Sequence, residues 1–332
     1  MGIARHALLA LAFLLASSCN RTLDAGYDRP NGLLPIDQRN PLILLNDGAY
    51  DNWSGEYAVL LANGGGSPLA GIIVNQDSVW PDIETNVVGY RDLIAAARAS
   101  GLGNLPDPIS SIGLPLVEPA SGKIEDTEPN SSEGARLIVA SSNSLSLPYR
   151  PLVIASGGGL TDVADAYLVD PTVAERVVVV SSLGAATSTG GAMGGPNGQI
   201  DPWADFIVAS RFRYVQVSAW YDQLNDVPTA SLSRLPNNAL GAWITAKQPK
   251  LMQWEPAADQ VAVLAVGLPT FATAVEHVSP TGTAAIGGDA GTGAGPNLTT
   301  DPRGTDWIVT ACDATGAATV FWNVLGSAHG DP

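Results

Sequence analysis

Six short apolar runs, rich in branched residues and separated by helix-length patterns, constrain this chain more than any other feature. They are Leu42 to Leu45, Leu69 to Asn75, Leu152 to Ala155, Arg176 to Ser181, Tyr214 to Ala219 and Trp307 to Ala311. Runs without polar alternation suit strands covered on both faces. Between them, Gly55 to Asn63, Ile83 to Ala99, Glu133 to Ser142, Asp162 to Val169, Asn237 to Lys247 and Pro256 to Val266 read as helices. A last helix is expected to start at Asp313, a good N-cap directly after a strand, with Val320, Phe321 and Leu325 as its apolar face. Strand and helix in alternation predict an α/β fold, a Rossmann-like open and mostly parallel sheet flanked by helices. Val117 to Ser132, acidic and rich in Pro and Ser, and the Gly/Ala/Thr-rich Ser279 to Arg303 resist the pattern. Both are expected as surface loops or irregular hairpins.

The first residues read as an address. Arg5 and His6 precede an apolar run, Ala7 to Ala16, too short to span a bilayer, so 1–18 is expected to be a signal peptide. Leu15-Ala16-Ser17-Ser18-Cys19 resembles a bacterial lipobox. Cleavage there would leave Cys19 acylated and the protein lipid-anchored to a membrane of the cell envelope. The alternative is ordinary cleavage, with Cys19 incidental. Residues 19–40, punctuated by Gly26, Pro30, Gly32 and Pro35, read as a flexible tether, and 41–328 as a single domain. Only Cys312 remains in that body, so no intramolecular disulfide is expected and the fold must stand on its core. The formal charge of -16 and the scattering of the 16 basic residues disfavour nucleic acid and anionic lipid head groups as partners.

In open α/β sheets, ligands sit outside the carboxyl ends of the strands. The first such loop, Asn46-Asp47-Gly48-Ala49-Tyr50-Asp51-Asn52, groups two carboxylates and carboxamides in one turn. Hard cations such as calcium favour oxygens gathered this way, and so do plain turns and helix caps. Trp53, Trp80 and Trp203 fall beside the loops expected around the mouth. They are candidates for stacking on a base or sugar, or for packing. His277 and His329 lack nearby catalytic partners in sequence and read as structural or solvent-exposed.

The order of several short motifs resembles the nucleoside hydrolase family over about Pro41 to Leu325. The family's strand followed by Asp-x-Asp-Pro-Gly-x-Asp-Asp falls on Leu45, Asp47, Asp51 and Asn52, with two of the four aspartates kept. Leu69 to Val74 resembles the next strand, with Asp77-Ser78 where Gly-Asn is usual. Gly158-Gly159-Leu160-Thr161-Asp162 resembles Gly-Pro-Leu-Thr-Asn, and Asp170-Pro171 and Val177 to Gly184 follow in order. Asn197 and Asp201-Pro202 match Glu-Phe-Asn-x-x-x-Asp-Pro, with Gly195 at the glutamate position. Ala258-Asp259 stands where a helix opens with His-Asp.

This resemblance implies hydrolysis of the N-glycosidic bond of a nucleoside or related riboside, by a water activated by calcium and a carboxylate. It implies Asp47 as metal ligand and general base, and Asn52, Asp259 and a backbone carbonyl near Gly157 as further metal ligands. Asp51 and Asn197 would hold sugar hydroxyls; Trp80, from its place beside the second loop and not from the resemblance, is the aromatic candidate to line the substrate. Homo-oligomers are common in the family. The departures carry chemical weight, since Asn52 removes a charge from a divalent-cation site and Ala258 removes a proton donor. Two outcomes follow from the sequence: an envelope N-glycosidase, or an inactive module that keeps the fold and a sugar-accommodating cleft.

Overall fold

The computed structural model describes residues 32–47, 68–76, 82–182, 186–187, 196–217, 235, 237–247, 266–267, 269–288, 291–317 and 319–320. Seven strands form a parallel array: β1 (Leu42–Asn46), β2 (Leu69–Asn75), β3 (Ile109–Ser111), β4 (Leu152–Ser156), β5 (Val177–Ser181), β7 (Arg213–Gln216) and β10 (Asp306–Cys312). β8 (Ala272–Gly288) and β9 (Gly291–Thr300) form an antiparallel hairpin against β10, and β6 (Ala186–Thr187) pairs parallel with β9. Among the described residues the sheet order is β3-β2-β1-β4-β5-β7-β10-β8-β9-β6, with β1 and β4 inside the parallel part. The chain therefore has the expected α/β architecture.

The apolar runs lack alternation because each strand feeds two cores. Leu42 and Leu44 join Val74, Ala155 and Val180 on one face, under α1 (Ile83–Ala99) and Leu240 of α6 (Ala239–Lys247). Ile43 and Leu45 join Ile73, Ile154 and Val179 on the other. That second face lies under α2 (Glu133–Leu145), α3 (Thr161–Val169) and α5 (Pro202–Arg211). Burying both faces removes the polar stripe that half-solvated strands show.

Local signals set the helix ends. In α1, Val87, Tyr90, Leu93, Ile94 and Ala97 recur at helical spacing and are buried, while Asp82 caps the start by accepting from Thr85 N. Leu102 N bonds Ala97 O and Gly101 N bonds Arg98 O, a Schellman ending that needs the left-handed φ of +85° at Gly101. Asp313 caps the last helix, its Oδ1 accepting from Gly316 N at 2.9 Å.

Two expectations change and one open alternative is decided. The tether does not reach Asn40: Leu34 and Ile36 are buried in the α1-side core, and Asn40 Nδ2 donates to Pro151 O at 2.8 Å. Gly32 and Pro35 disguised a segment whose apolar residues pack. β3 was missed altogether, because Ile109-Ser110-Ser111 is too short and polar to show as a run. Ser279 to Arg303, expected as a loop or irregular hairpin, is mostly the β8–β9 hairpin, irregular where the register slips between Pro280 and Thr283. The expected helices at Gly55 to Asn63 and, but for Val266, at Pro256 to Val266 lie outside the described residues. No helix among the described residues is long and apolar enough to cross a membrane.

Candidate functional site at the carboxyl ends of the strands

Six neighbouring parallel strands end on a polar residue: Asn46, Asn75, Ser111, Ser156, Ser181 and Gln216. All six are buried. Register aligns most of them, with Asn75 opposite Ser111, Ser156 opposite Ser181, and Ser181 opposite Gln216. A row of this kind lies where the ladder stops and backbone groups must find new partners. Some do so within the rim: Ser156 Oγ donates to Gly158 O at 2.8 Å, and Asn75 Nδ2 donates to Gly159 O at 3.1 Å. Others do not. Asn75 Oδ1, Ser182 Oγ and Gln216 Nε2 are buried without a hydrogen-bond partner. Each such group costs roughly 1–3 kcal/mol if it stays dry and unpaired, so a row of them is a place prepared for something polar.

At the middle of the rim, the Gly157–Gly159 turn lies against Asp47. Gly157 N extends the parallel ladder by donating to Leu45 O at 2.9 Å. A Cβ on Gly158 would stand 3.0 Å from both Asn75 Oδ1 and Asp47 N, and one on Gly159 would stand 2.8 Å from Ile200 Cγ2. The two glycines let the β4 turn close onto the end of β1 on one side and onto α4 (Pro196–Ile200) on the other.

The sequence-derived site residues fall as follows. Asp47 is buried at the end of β1, Gly157 continues β4 beside it, and Asn197 on α4 donates Nδ2 to Ser182 O at 3.0 Å. Ser182 N in turn donates to Ser156 O at 3.0 Å. These bonds link the ends of β4, β5 and α4, while the Gly157–Leu45 bond joins β1, so Asp47, Gly157 and Asn197 share one rim. Leu45, at the family's first aspartate position, is sealed in the core with no exposure. Asp51, Asn52, Trp53, Asp77, Ser78, Trp80, Gly195, Ala258, Asp259 and Cys19 lie outside the described residues. Trp203 does not line the mouth: it is buried, stacked on Phe206 at 5.2 Å, with Nε1 donating to Thr127 Oγ1 at 3.0 Å. His277 sits on β8 beside Trp307, with Nδ1 3.2 Å from Gly304 O, far in the sheet order from β1.

Sequence reasoning missed Asn75, Ser182 and Gln216. The signal was available, since the strand sequences LILLN, LAGIIVN, LVIAS and VVVVS each close on a polar residue. Among the described residues, no group of three or more His, Cys, Asp or Glu side chains could hold a metal ion. Calcium takes six to eight oxygens, usually several of them carboxylates. One carboxylate, carboxamides and carbonyls do not by themselves fit that ion.

A second polar cluster lies where α3, α5 and the segment 112–132 meet. Asp201 caps α5 by accepting from Ala204 N at 3.0 Å, and also accepts from Leu116 N and Thr161 Oγ1, both at 2.8 Å. Ser132 caps α2, accepting from Ala135 N at 3.1 Å while donating to Asp162 Oδ1 at 2.7 Å. Burial raises the carboxyls of Asp162 and Asp201 above the usual range, and burial with Asp201 alongside pushes Asp205 up to about 8.

No family model and no curated protein matches the chain by sequence. The fold matches solved structures. A plant nucleoside hydrolase aligns with a TM-score of 0.55 at 15% identity, over 87% of this chain and 99% of the other. An inosine-uridine preferring nucleoside hydrolase from Bacillus anthracis aligns at 0.52 and 12%, over 86% and 99%. A purine-preferring ribonucleoside hydrolase from Gardnerella vaginalis aligns at 0.50 and 16%, over 87% and 99%. The chain has the nucleoside hydrolase fold, at identities that carry fold and not activity.

Proposed function

We propose that this nucleoside-hydrolase-fold chain cleaves the N-glycosidic bond of nucleosides or related ribosides. The observation that carries this reading is the buried Asp47 at the carboxyl end of β1, pressed against the Gly157–Gly159 turn and set on the same rim as Asn197. On an open α/β sheet that is the position for a ligand-facing carboxylate. In the proposed step, the Asp47 carboxylate takes a proton from water and the water oxygen attacks the anomeric carbon. The C–N bond breaks with its electron pair on the base nitrogen, through an oxocarbenium-like state. The open Asn75 Oδ1, Ser182 Oγ and Gln216 Nε2 supply one acceptor, one hydroxyl and one donor for sugar hydroxyls. With Ala258 at the family's histidine position, the departing base must be protonated by solvent, which favours good leaving groups.

Calcium enters no step here. Whether Asp51, Asn52 and Asp259 join Asp47 around it is a question for calcium titration of the metal-stripped protein. The envelope address belongs to the same proposal: Cys19 carries the anchor, and the mass of the mature N-terminal peptide tests it.

One observation favours a second reading. Leu45 sealed in the core cannot supply charge, so the chain would be a riboside-binding module without hydrolysis. Ribose release from mixed nucleosides, with calorimetric binding of the same nucleosides, separates the two. Release that falls about 100- to 10,000-fold in Asp47→Asn supports hydrolysis with Asp47 as base. Binding without release supports the module, and neither release nor binding overturns both.

A further inference from the structure

The two ends of the parallel strands differ in charge, a pattern that no run in the sequence displays. Arg39, Arg150, Arg176 and Arg213 stand within three residues of the start of β1, β4, β5 and β7, four strands that are neighbours in the sheet. At the carboxyl end the pattern reverses. No Lys, Arg or His occurs in 42–90, 109–122, 152–175, 177–210 or 214–233, the stretches that run out through the carboxyl ends of β1 and β2, of β3, of β4, of β5 and of β7. The same stretches bring carboxylates, with Asp47, Asp51 and Glu56 following β1, and Asp77 and Asp82 following β2. Helix dipoles favour anions at the first turns of α3 and α5, and those turns already hold Asp162 and Asp205.

A second observation points to a ligand at this end. Asn75 Oδ1, Ser182 Oγ and Gln216 Nε2 are buried there without partners, an acceptor, a hydroxyl and a donor suited to the hydroxyls of a sugar. None of the three is an acid near neutral pH. The one histidine among the described residues, His277, is on β8 with Nδ1 3.2 Å from Gly304 O. A neutral base leaving a sugar relies on a proton, and the general acid that would supply it contributes about 100- to 10,000-fold in rate. A base joined to the sugar through a positively charged ring nitrogen needs no such proton.

Resting on the hydrolysis reading above, we infer that the preferred substrates are cationic ribosides, whose anomeric carbon is bonded to a quaternised aromatic nitrogen such as that of a pyridinium ring. The water oxygen bonds to the anomeric carbon as its proton passes to Asp47. The C–N electron pair moves to the ring nitrogen, which departs as a neutral pyridine without taking up a proton. An end lined by one sign of charge draws in the opposite sign, so the carboxylates favour arrival of the cation. A 5′-phosphate meets no Lys or Arg in these stretches. A riboside that originates as a nucleotide must therefore lose its phosphate to a phosphomonoester hydrolysis first.

The test gives the full chain nicotinamide riboside, its uncharged dihydropyridine form, its 5′-phosphate, and the neutral nucleosides inosine and uridine. Ribose release from nicotinamide riboside is expected to exceed that from inosine and uridine by about 100-fold or more in kcat/KM, the share of a missing general acid. The dihydropyridine form, nearly the same in shape, should inhibit about tenfold more weakly than the pyridinium form binds, with the gap narrowing at high salt. The 5′-phosphate should be cleaved about tenfold less efficiently than the riboside. Equal binding of the charged and uncharged forms, or cleavage of the 5′-phosphate as efficiently as the riboside, overturns the inference. So does a kcat/KM for inosine or uridine that equals or exceeds that for nicotinamide riboside, and that result leaves the hydrolysis reading standing. Release from none of the probes overturns both.

Discussion

The rim of the parallel strands and the flank cluster are both buried and polar, yet they settle their unmet valences differently. At the rim the open groups are neutral: an amide oxygen on Asn75, a hydroxyl on Ser182 and an amide NH₂ on Gln216. They cannot change charge state near neutral pH, so their unmet bonds persist until a ligand or water meets them. At the flank, where α3, α5 and the segment 112–132 meet, the open atoms are carboxyl oxygens of Asp162 and Asp205, whose charged form burial disfavours. The rim is thus fitted to receive something from outside, while the flank is fitted to hold the protein's own chain.

Substitutions break or sharpen that contrast. The largest effect belongs to Asp47→Asn. Hydrolysis should drop about 100- to 10,000-fold while the melting temperature stays near wild type; equal loss of both would place Asp47 with the flank as a structural acid. Next comes a pair of glycines. A Cβ at Gly134 would stand 2.6 Å from the Asp162 carboxyl, so Gly134→Ala should lower stability by about 1–3 kcal/mol in denaturant melts. A Cβ at Gly158 would press on Asp47 N and Asn75 Oδ1, so Gly158→Ala should weaken nucleoside binding or turnover more than stability. The contrast fails if the two behave alike.

Ser132→Ala removes both the α2 cap and a hydroxyl on Asp162, with an expected cost of about 0.5–2 kcal/mol and no change in substrate affinity. Trp203→Phe should do least. It loses the Nε1 bond to Thr127, worth about 0.5–1.5 kcal/mol, keeps an aromatic ring against Phe206, and leaves turnover unaltered. A loss of nucleoside affinity in this variant would return Trp203 to the mouth, where sequence reasoning had put it as a candidate.

Much of the architecture is legible in the chain. Ile83 to Ala99 and Leu69 to Asn75 appear as helix and strand with the bounds the sequence predicts, because periodicity and caps are local properties. β3 escapes, since three residues carry no period and depend on pairing with β2 for their form. Leu34 and Ile36 escape because burial depends on what lies opposite, and Gly32 and Pro35 mask it. Of the expected site residues, Asp47, Gly157 and Asn197 come to one rim, as the rule that ligands gather at strand ends anticipates.

The sequence by itself determined that both faces of the parallel strands would be buried: runs such as Val177 to Val180 leave no face for water. Only the tertiary structure decided that Leu116 N and Asp201, 85 residues apart, would bond, and that the Ser111 hydroxyl would donate to Asp162, 51 residues away. Spacing along a chain encodes local periodicity, whereas a hydrogen bond between distant segments exists only once packing has brought its donor and acceptor within about 3 Å.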